Sequence, residues 1–202
     1  MDFFNETRQI AMPEAQAVYH PAPDLGLSPD ELLMRLRREV PWEQHTVRIH
    51  NQIIPQPRLS SWHGSVIHGY ASLAHMLIPH PWSPLLARLR DRVEMICGAK
   101  FNSMLANLYR DGNDAIGWHA DDEPELGPTP LIASLSFGSE RRFDMRRKDD
   151  HTKVVRITLE HGSLLIMSGG MQQHWQHAIA RTTQVTGERI NLTFRLTASR
   201  GG

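Results

Sequence analysis

The nine residues 188–196, ERINLTFRL, alternate without a fault: Arg189, Asn191, Thr193 and Arg195 fall on one face, and Ile190, Leu192, Phe194 and Leu196 on the other. Period two marks a β-strand, in which successive side chains point to opposite sides of the sheet. The apolar side suits a half-buried strand with another layer packed on it. The polar side has two readings. As the outside of a sandwich it puts both arginines in water. As the lining of a barrel mouth it points two guanidiniums and a hydroxyl into one cavity, suited to a small dianion held by charge-assisted hydrogen bonds.

Upstream lie more segments of the same kind. Phe101–Tyr109 alternates so that Leu105, Asn107 and Tyr109 share a face. LIASLSFG (131–138), RRFDMRRK (141–148), KVVRITLE (153–160) and SLLIMSG (163–169) follow, with turns at Gly138-Ser139 and His161-Gly162. Two helices precede them. Ser28-Pro29-Asp30-Glu31 offers an N-cap, a proline at the first helical position and a Glu placed for a capping box; Leu32, Leu33, Leu36 and Val40 then recur at helical spacing, and Pro41-Trp42 ends the run. Ser83-Pro84 opens the second helix, with Leu85, Leu89, Val93 and Ile96 on one face and Gly98 at its stop. Helices followed by short strands predict a mostly β fold with helices on one side of an antiparallel sandwich or barrel. Residues 1–27, with Pro13, Pro21 and Pro23, read as an extended lead-in with at most one edge strand. Residues 28–100 read as helices and a recognition segment, 101–197 as the β core, and 1–202 as a single domain.

Within residues 105–123, LANLYRDGNDAIGWHADDE, a strand and a glycine turn lead into His119 and Asp121. On extended chain, residues i and i+2 face the same way, so this pair can hold one metal ion. A further histidine would complete two His and a carboxylate on one face of an octahedral iron, leaving three positions open as in non-haem Fe(II) oxygenases. The chain has 12 histidines, so the pair alone is weak, and spacing does not choose between His174 and His177 as its partner. A single cysteine, Cys97, excludes an internal disulfide framework and a Cys-based zinc or iron–sulfur site.

Residues 45–80 show no strong period. Arg58, Trp62, His63, His68 and Tyr70 read there as exposed groups able to grip phosphates and stack bases; aromatic cover for the core fits them equally well. RRFDMRRKDD gathers Arg141, Arg142, Arg146, Arg147 and Lys148, which reads first as a solvated face. Lys+Arg and Asp+Glu balance at 22 each, so binding to nucleic acid must rest on local basic patches. No stretch approaches the ~20 apolar residues of a membrane span, and the N-terminus lacks a basic start followed by an apolar run. The chain is expected to act as a cytoplasmic monomer away from membranes.

Together NLYRDG, WHADDE, IASLSFG, the Phe-Asp-Met-Arg-Arg-Lys strand, HGSLLIM, HWQHAI and RINLTFR, in that order from about Pro41 to Leu196, resemble the AlkB-type 2-oxoglutarate- and Fe(II)-dependent oxygenases, which demethylate alkylated nucleic-acid bases. The resemblance implies a double-stranded β-helix, a form of jelly roll, with supporting helices. It implies His119, Asp121 and His177 as iron ligands, with 2-oxoglutarate and O2 as cosubstrates. Arg189 would pair with the far carboxylate of 2-oxoglutarate, Arg195 would serve the near-carboxylate side, and Asn107, Tyr109 and Thr193 would complete that pocket. Glu123 matches the acidic position that contacts the damaged base, and Tyr70 an aromatic of the base pocket. Duplex-specialised members carry a bulky wedge where this chain has Ile49-His50-Asn51; His50 can stack but offers less bulk. The implied activity is oxidative demethylation of 1-methyladenine and 3-methylcytosine in DNA, releasing formaldehyde and succinate. The same chemistry on RNA, tRNA, a protein or a small molecule is the alternative, and a jelly-roll binding module without catalysis stands further off.

Overall fold

The computed structural model of the chain describes residues 6–49, 52–64, 79–184 and 186–198. In chain order its elements are β1 (Arg8–Ile10), β2 (Ala15–His20), α1 (Pro29–Glu39), β3 (Thr46–Ile49), β4 (Gln52–Pro55), β5 (Leu59–Gly64), α2 (Pro84–Cys97), β6 (Ser103–Tyr109), β7 (Ile116–His119), β8 (Ile132–Gly138), β9 (Arg141–Arg147), β10 (Val154–Leu159), β11 (Leu164–Gly169), α3 (Met171–His174), β12 (Trp175–Ile179) and β13 (Arg189–Arg195). A larger sheet runs β1-β2-β11-β8-β13-β6-β5, a smaller one β10-β9-β12-β7, and β3-β4 form a separate hairpin. From β6 onward the chain crosses repeatedly between the two larger sheets, and the strand pairs are antiparallel. This winding is the jelly roll expected from the sequence.

The alternating segment forms β13, in the interior of the larger sheet between β8 and β6. Arg189 lies opposite Gly138 and Tyr109, and Thr193 opposite Ser134 and Leu105. A slip of one residue would send every polar group of β13 to the other face. The apolar side prevents this: Ile190, Leu192 and Phe194 are packed with Leu32 and Leu36 of α1 and Leu85, Leu89 and Val93 of α2. Both helices start at serine caps, with the Glu31 N–H donating to Ser28 Oγ at 3.2 Å and the Leu86 N–H to Ser83 Oγ at 3.3 Å. Gly98 ends α2 at φ 63°, in the left-handed region that glycine occupies without strain. A second core, including Tyr19, Met145, Leu165, Met167 and Trp175, fills one part of the space between the sheets. Polar side chains line another part.

Two expectations change. The lead-in supplies two strands, and β2 lies inside the sheet between β1 and β11. Its flanking prolines, Pro13 and Pro21, bound the strand without interrupting its ladder. The 141–148 segment is a solvated face on one side only, where Arg142 is exposed and Arg146 half-buried. It forms β9, interior to the smaller sheet, and alternation turns Arg141 and Arg147 inward with Phe143 and Met145. Arg141 donates to the carbonyls of Asp111, Asp114 and Ala180, while Arg147 is paired with Glu14 at 2.7 Å and Asp149 at 2.6 Å.

Candidate active site

Three strands and one loop build the site. The register of β7 and β12 sets His119 directly opposite His177, their ring centroids 4.3 Å apart. Asp121 follows β7 two residues later, so its carboxylate joins them on the inner side. One ligand atom from each of His119, Asp121 and His177 lies within 4.8 Å of the others. Among the described residues this is the one cluster of His, Cys, Asp and Glu so disposed.

Each ligand is oriented by a neighbour. His119 Nδ1 lies 2.8 Å from the Gly117 carbonyl and donates to it, which leaves Nε2 to bind a metal. Arg195 Nη2 donates to Asp121 Oδ1 at 2.7 Å. Asp121 Oδ2 lies 3.9 Å from His177 Nε2, too far for a hydrogen bond and close enough for two ligands of one ion. Burial pushes the Asp121 carboxyl up, but Arg195, His177 and His119 outweigh it and hold the group below the ordinary carboxylate range. Burial and neighbouring His119 push His177 down to about 3, keeping it the neutral imidazole that metals bind. Phe143 covers the His177 ring at 5.1 Å.

The triad opens into a cavity of about 480 Å³ between the sheets, within the range of small-molecule sites. Arg189, Asn191, Thr193 and Arg195 of β13 all line it, with Asn107 and Tyr109 of β6. Arg195 stands at the metal end, against Asp121. Arg189 is six residues away along the strand, only 2% exposed, and bonded to Ser136 Oγ at 3.0 Å; its guanidinium lies 5.1 Å from the Tyr109 ring. Its Nε and Nη1 are buried without a partner. Burial lowers its proton affinity from the ordinary arginine value, yet a guanidinium stays charged in proteins. A buried cation with two unused donors fits a carboxylate, so the donor set accommodates the far end of a dicarboxylate whose other end reaches the metal.

The remaining predicted residues divide. Glu123 borders the cavity with Oε2 buried and unpartnered, and burial raises its carboxyl despite nearby Arg195. Arg58 is half-buried at the cavity border, where its Nε donates to Asn107 Oδ1 at 3.0 Å and its Nη1 to the Ala115 carbonyl at 3.3 Å. Trp62 is buried, because β5 pairs with β6 and turns the indole inward, where Nε1 donates to Ser103 Oγ at 2.9 Å. It forms part of the cavity wall. His63 is buried as well. Tyr70, His68 and His50 lie outside the described residues. His174 lies near Glu14, its Nε2 3.9 Å from Oε1, away from the triad.

The sequence reading missed Gln172. This residue of α3 is 1% exposed and its Oε1 accepts the Asp121 backbone N–H at 2.9 Å, while its own carbonyl accepts from Lys148, which also meets Asp122 at 2.9 Å. One of two adjacent glutamines in a four-residue helix carries no periodic signal that marks it.

Residues 28–195 match the family model described as the 2OG-Fe(II) oxygenase superfamily. The chain belongs to this superfamily. Its relatives are AlkB homologues. The chain is 45% identical over 174 residues to the rat alpha-ketoglutarate-dependent dioxygenase alkB homolog 3, covering 82% of this chain and 59% of the relative. It is 40% identical over 176 residues to the human DNA oxidative demethylase ALKBH2, covering 82% of this chain and 67% of the relative. The chain thus spans less than two thirds of the alkB homolog 3 relatives it matches. The solved structure of OsALKBH1 superimposes with a TM-score of 0.62 at 16% identity, over 95% of this chain and all of that one, which shows the shared fold. In this superfamily the His119–Asp121–His177 set is the Fe(II) site, and 2-oxoglutarate and O2 are the cosubstrates.

Proposed function

We propose that the chain, acting as a monomer, is an oxidative demethylase of N-alkylated bases, with 1-methyladenine and 3-methylcytosine in DNA as substrates and single strands handled at least as well as duplex. The observation that carries this reading is Glu123: a buried carboxyl with an unpartnered Oε2, two residues beyond the metal ligand Asp121 and in the same cavity. Both bases become cationic when methylated at the ring nitrogen and retain an exocyclic amine, so a carboxylate answers the charge and the amine hydrogens together. The similarity to an alkB homolog 3 dioxygenase and to the DNA oxidative demethylase ALKBH2 supports nucleic acid and oxidative demethylation.

Bound at the site, Fe(II) with 2-oxoglutarate and O2 supplies the oxidation: one oxygen atom goes to the N-methyl carbon and the other to 2-oxoglutarate, which leaves as succinate and CO2, and the hydroxymethyl N–C bond then breaks to release formaldehyde. The protein binds, orients and excludes water. Arg189 receives the far carboxylate of the cosubstrate. Arg195 fixes the Asp121 rotamer so that Oδ2 faces His177. Ile116, Phe143, Met167 and Ile179 line the cavity with apolar surface. A target base must leave its stack to reach this depth, and a methylated base that pairs poorly does so at lower cost. The single-strand preference is supported by the modest bulk of Ile49-His50-Asn51.

The test is formaldehyde release from oligonucleotides carrying either methylated base, as single-stranded DNA, duplex DNA and RNA, with Fe(II), 2-oxoglutarate and ascorbate. Release from single-stranded DNA at least equal to duplex is expected. A tenfold duplex preference refutes the strand assignment. Robust 2-oxoglutarate turnover with a different substrate class, and none with methylated nucleic acid, refutes the demethylase reading.

A further inference from the structure

Among the described Phe, Tyr and Trp side chains, Trp118 is the one in the exposed range, at 39%. It belongs to β7, an edge strand of the smaller sheet, and immediately precedes His119. Alternation along the strand turns His119 inward to the triad and Trp118 outward, while Trp118 is still among the residues that border the cavity. Gly117 beside it also borders the cavity and has open space where a side chain would stand.

Arg146 lies over this indole, its guanidinium 4.2 Å from the ring centroid. Nε and Nη2 both donate to Gln176 Oε1, at 3.2 and 3.0 Å. The other cations of the 141–148 cluster are committed. Arg142 pairs with Asp144, Arg147 with Glu14 and Asp149, and Lys148 with Asp122, while Arg141 is buried against carbonyls. Arg146 is the accessible member with no carboxylate at ion-pair distance among the described residues, and its Nη1 has no protein acceptor there.

We propose that Trp118 and Arg146 form a second nucleotide subsite: the indole stacks on the base next to the one entering the cavity, and the guanidinium meets the phosphate that joins them. This rests on the demethylase reading and makes it more specific, because the enzyme then engages a nucleic-acid strand and not only the damaged base. The chemistry favours a strand over other occupants. An aromatic face accepts any base by stacking, an uncompensated guanidinium answers a phosphodiester, and together they give sequence-tolerant single-strand binding. The geometry suits neighbouring nucleotides, since consecutive residues, ~3.8 Å apart at Cα, place one side chain at the metal and the other on the outer face.

The test compares binding of a methylated mononucleotide with that of a trinucleotide carrying the same base centrally, using protein loaded with Mn(II) and 2-oxoglutarate to prevent turnover. The affinity gained from the flanking nucleotides should collapse by about 5- to 150-fold in Trp118→Ala, the range for loss of one stacked base, and return largely in Trp118→Phe. Arg146→Gln should lower the slope of log affinity against log salt by about 0.7, one single-strand phosphate. Equal weakening of mononucleotide and trinucleotide by Trp118→Ala would indicate only a structural effect and overturn the subsite. Unchanged trinucleotide affinity in both variants would overturn it too. Binding of unmethylated single-stranded trinucleotide by the wild type, weakened in Trp118→Ala, supports the subsite even if no methylated substrate releases formaldehyde; that pattern would fail the demethylase reading alone.

Discussion

Replacing Arg189 by methionine should make the protein without cosubstrate more stable while destroying its response to 2-oxoglutarate. This guanidinium is 2% exposed, donates from Nη2 to Ser136 Oγ, and leaves Nε and Nη1 unpartnered. Against it stand the desolvation of a buried ion, several kcal/mol, and roughly 1–3 kcal/mol for each unmade hydrogen bond. In its favour are about 1.5–3 kcal/mol from the charged bond to Ser136 and about 2 kcal/mol from the Tyr109 ring. The sign favours an apolar side chain of similar length, and replacing buried charges in this way is worth ~1–4 kcal/mol. For a chain of this size that raises Tm by roughly 2–16 °C. Wild-type protein with Mn(II) should gain ~2.7 kcal/mol at 2-oxoglutarate 100-fold above Kd, and Arg189→Met should gain nothing at the same concentration. Differential scanning calorimetry with and without 2-oxoglutarate measures both effects. A variant that melts several degrees below wild type without cosubstrate, or keeps the 2-oxoglutarate shift, refutes the assignment of Arg189 as an uncompensated cosubstrate anchor.

Other expectations follow from the same geometry. His177→Ala should abolish Co(II) binding followed by absorbance, whereas His174→Ala should retain it; the reverse pattern would show that the distal ligand is misassigned. Gln172→Ala should weaken metal binding about 10- to 100-fold, as loss of support behind a ligand does, with Gln172→Glu, which keeps the acceptor for the Asp121 N–H, restoring part of it; equal metal titrations of Gln172→Ala and wild type would remove its positioning role. His63 is pushed down to about 4, by burial first and then by His80. The unfolded chain therefore binds the extra proton between about pH 6.5 and 4, and stability falls as pH drops through that window, by up to about 3 kcal/mol. Urea titrations should show a shallower pH dependence there in His63→Gln, and identical slopes would contradict the neutral buried assignment.

The parts legible in the sequence were those written in local periodicity. Strand β13 announced its two faces by alternation, the helices announced their starts through Ser28-Pro29 and Ser83-Pro84, and His119-x-Asp121 announced a shared face. The choice of His177 came from resemblance to a family, and its place opposite His119 comes from strand register, which no local pattern encodes. Tertiary pairing also decided the failures. Arg58 and Trp62 read as exposed because their flanks are polar and broken by proline, yet pairing of β5 with β6 turns Trp62 into the cavity wall and Arg58 bonds Asn107. Arg141 and Arg147 looked like surface charge until β9 took an interior position and buried both. Gln172 acts across 51 positions on the Asp121 backbone, a contact that exists only once the sheets have closed.

The position of β13 also governs how the chain comes together during synthesis. Both strands it joins, β6 and β8, precede it in the sequence, and its partner residues Tyr109 and Arg189 are 80 positions apart. At ~5–20 residues per second, β6 waits about 4–16 s for its neighbour. During that interval the facing edges of β6 and β8 present unmatched backbone donors and acceptors flanked by apolar residues, the surface on which nascent chains associate wrongly. Because the strand that brings the arginines is also the strand that closes this gap, the protein acquires its anion pocket and loses its most vulnerable edges in one event.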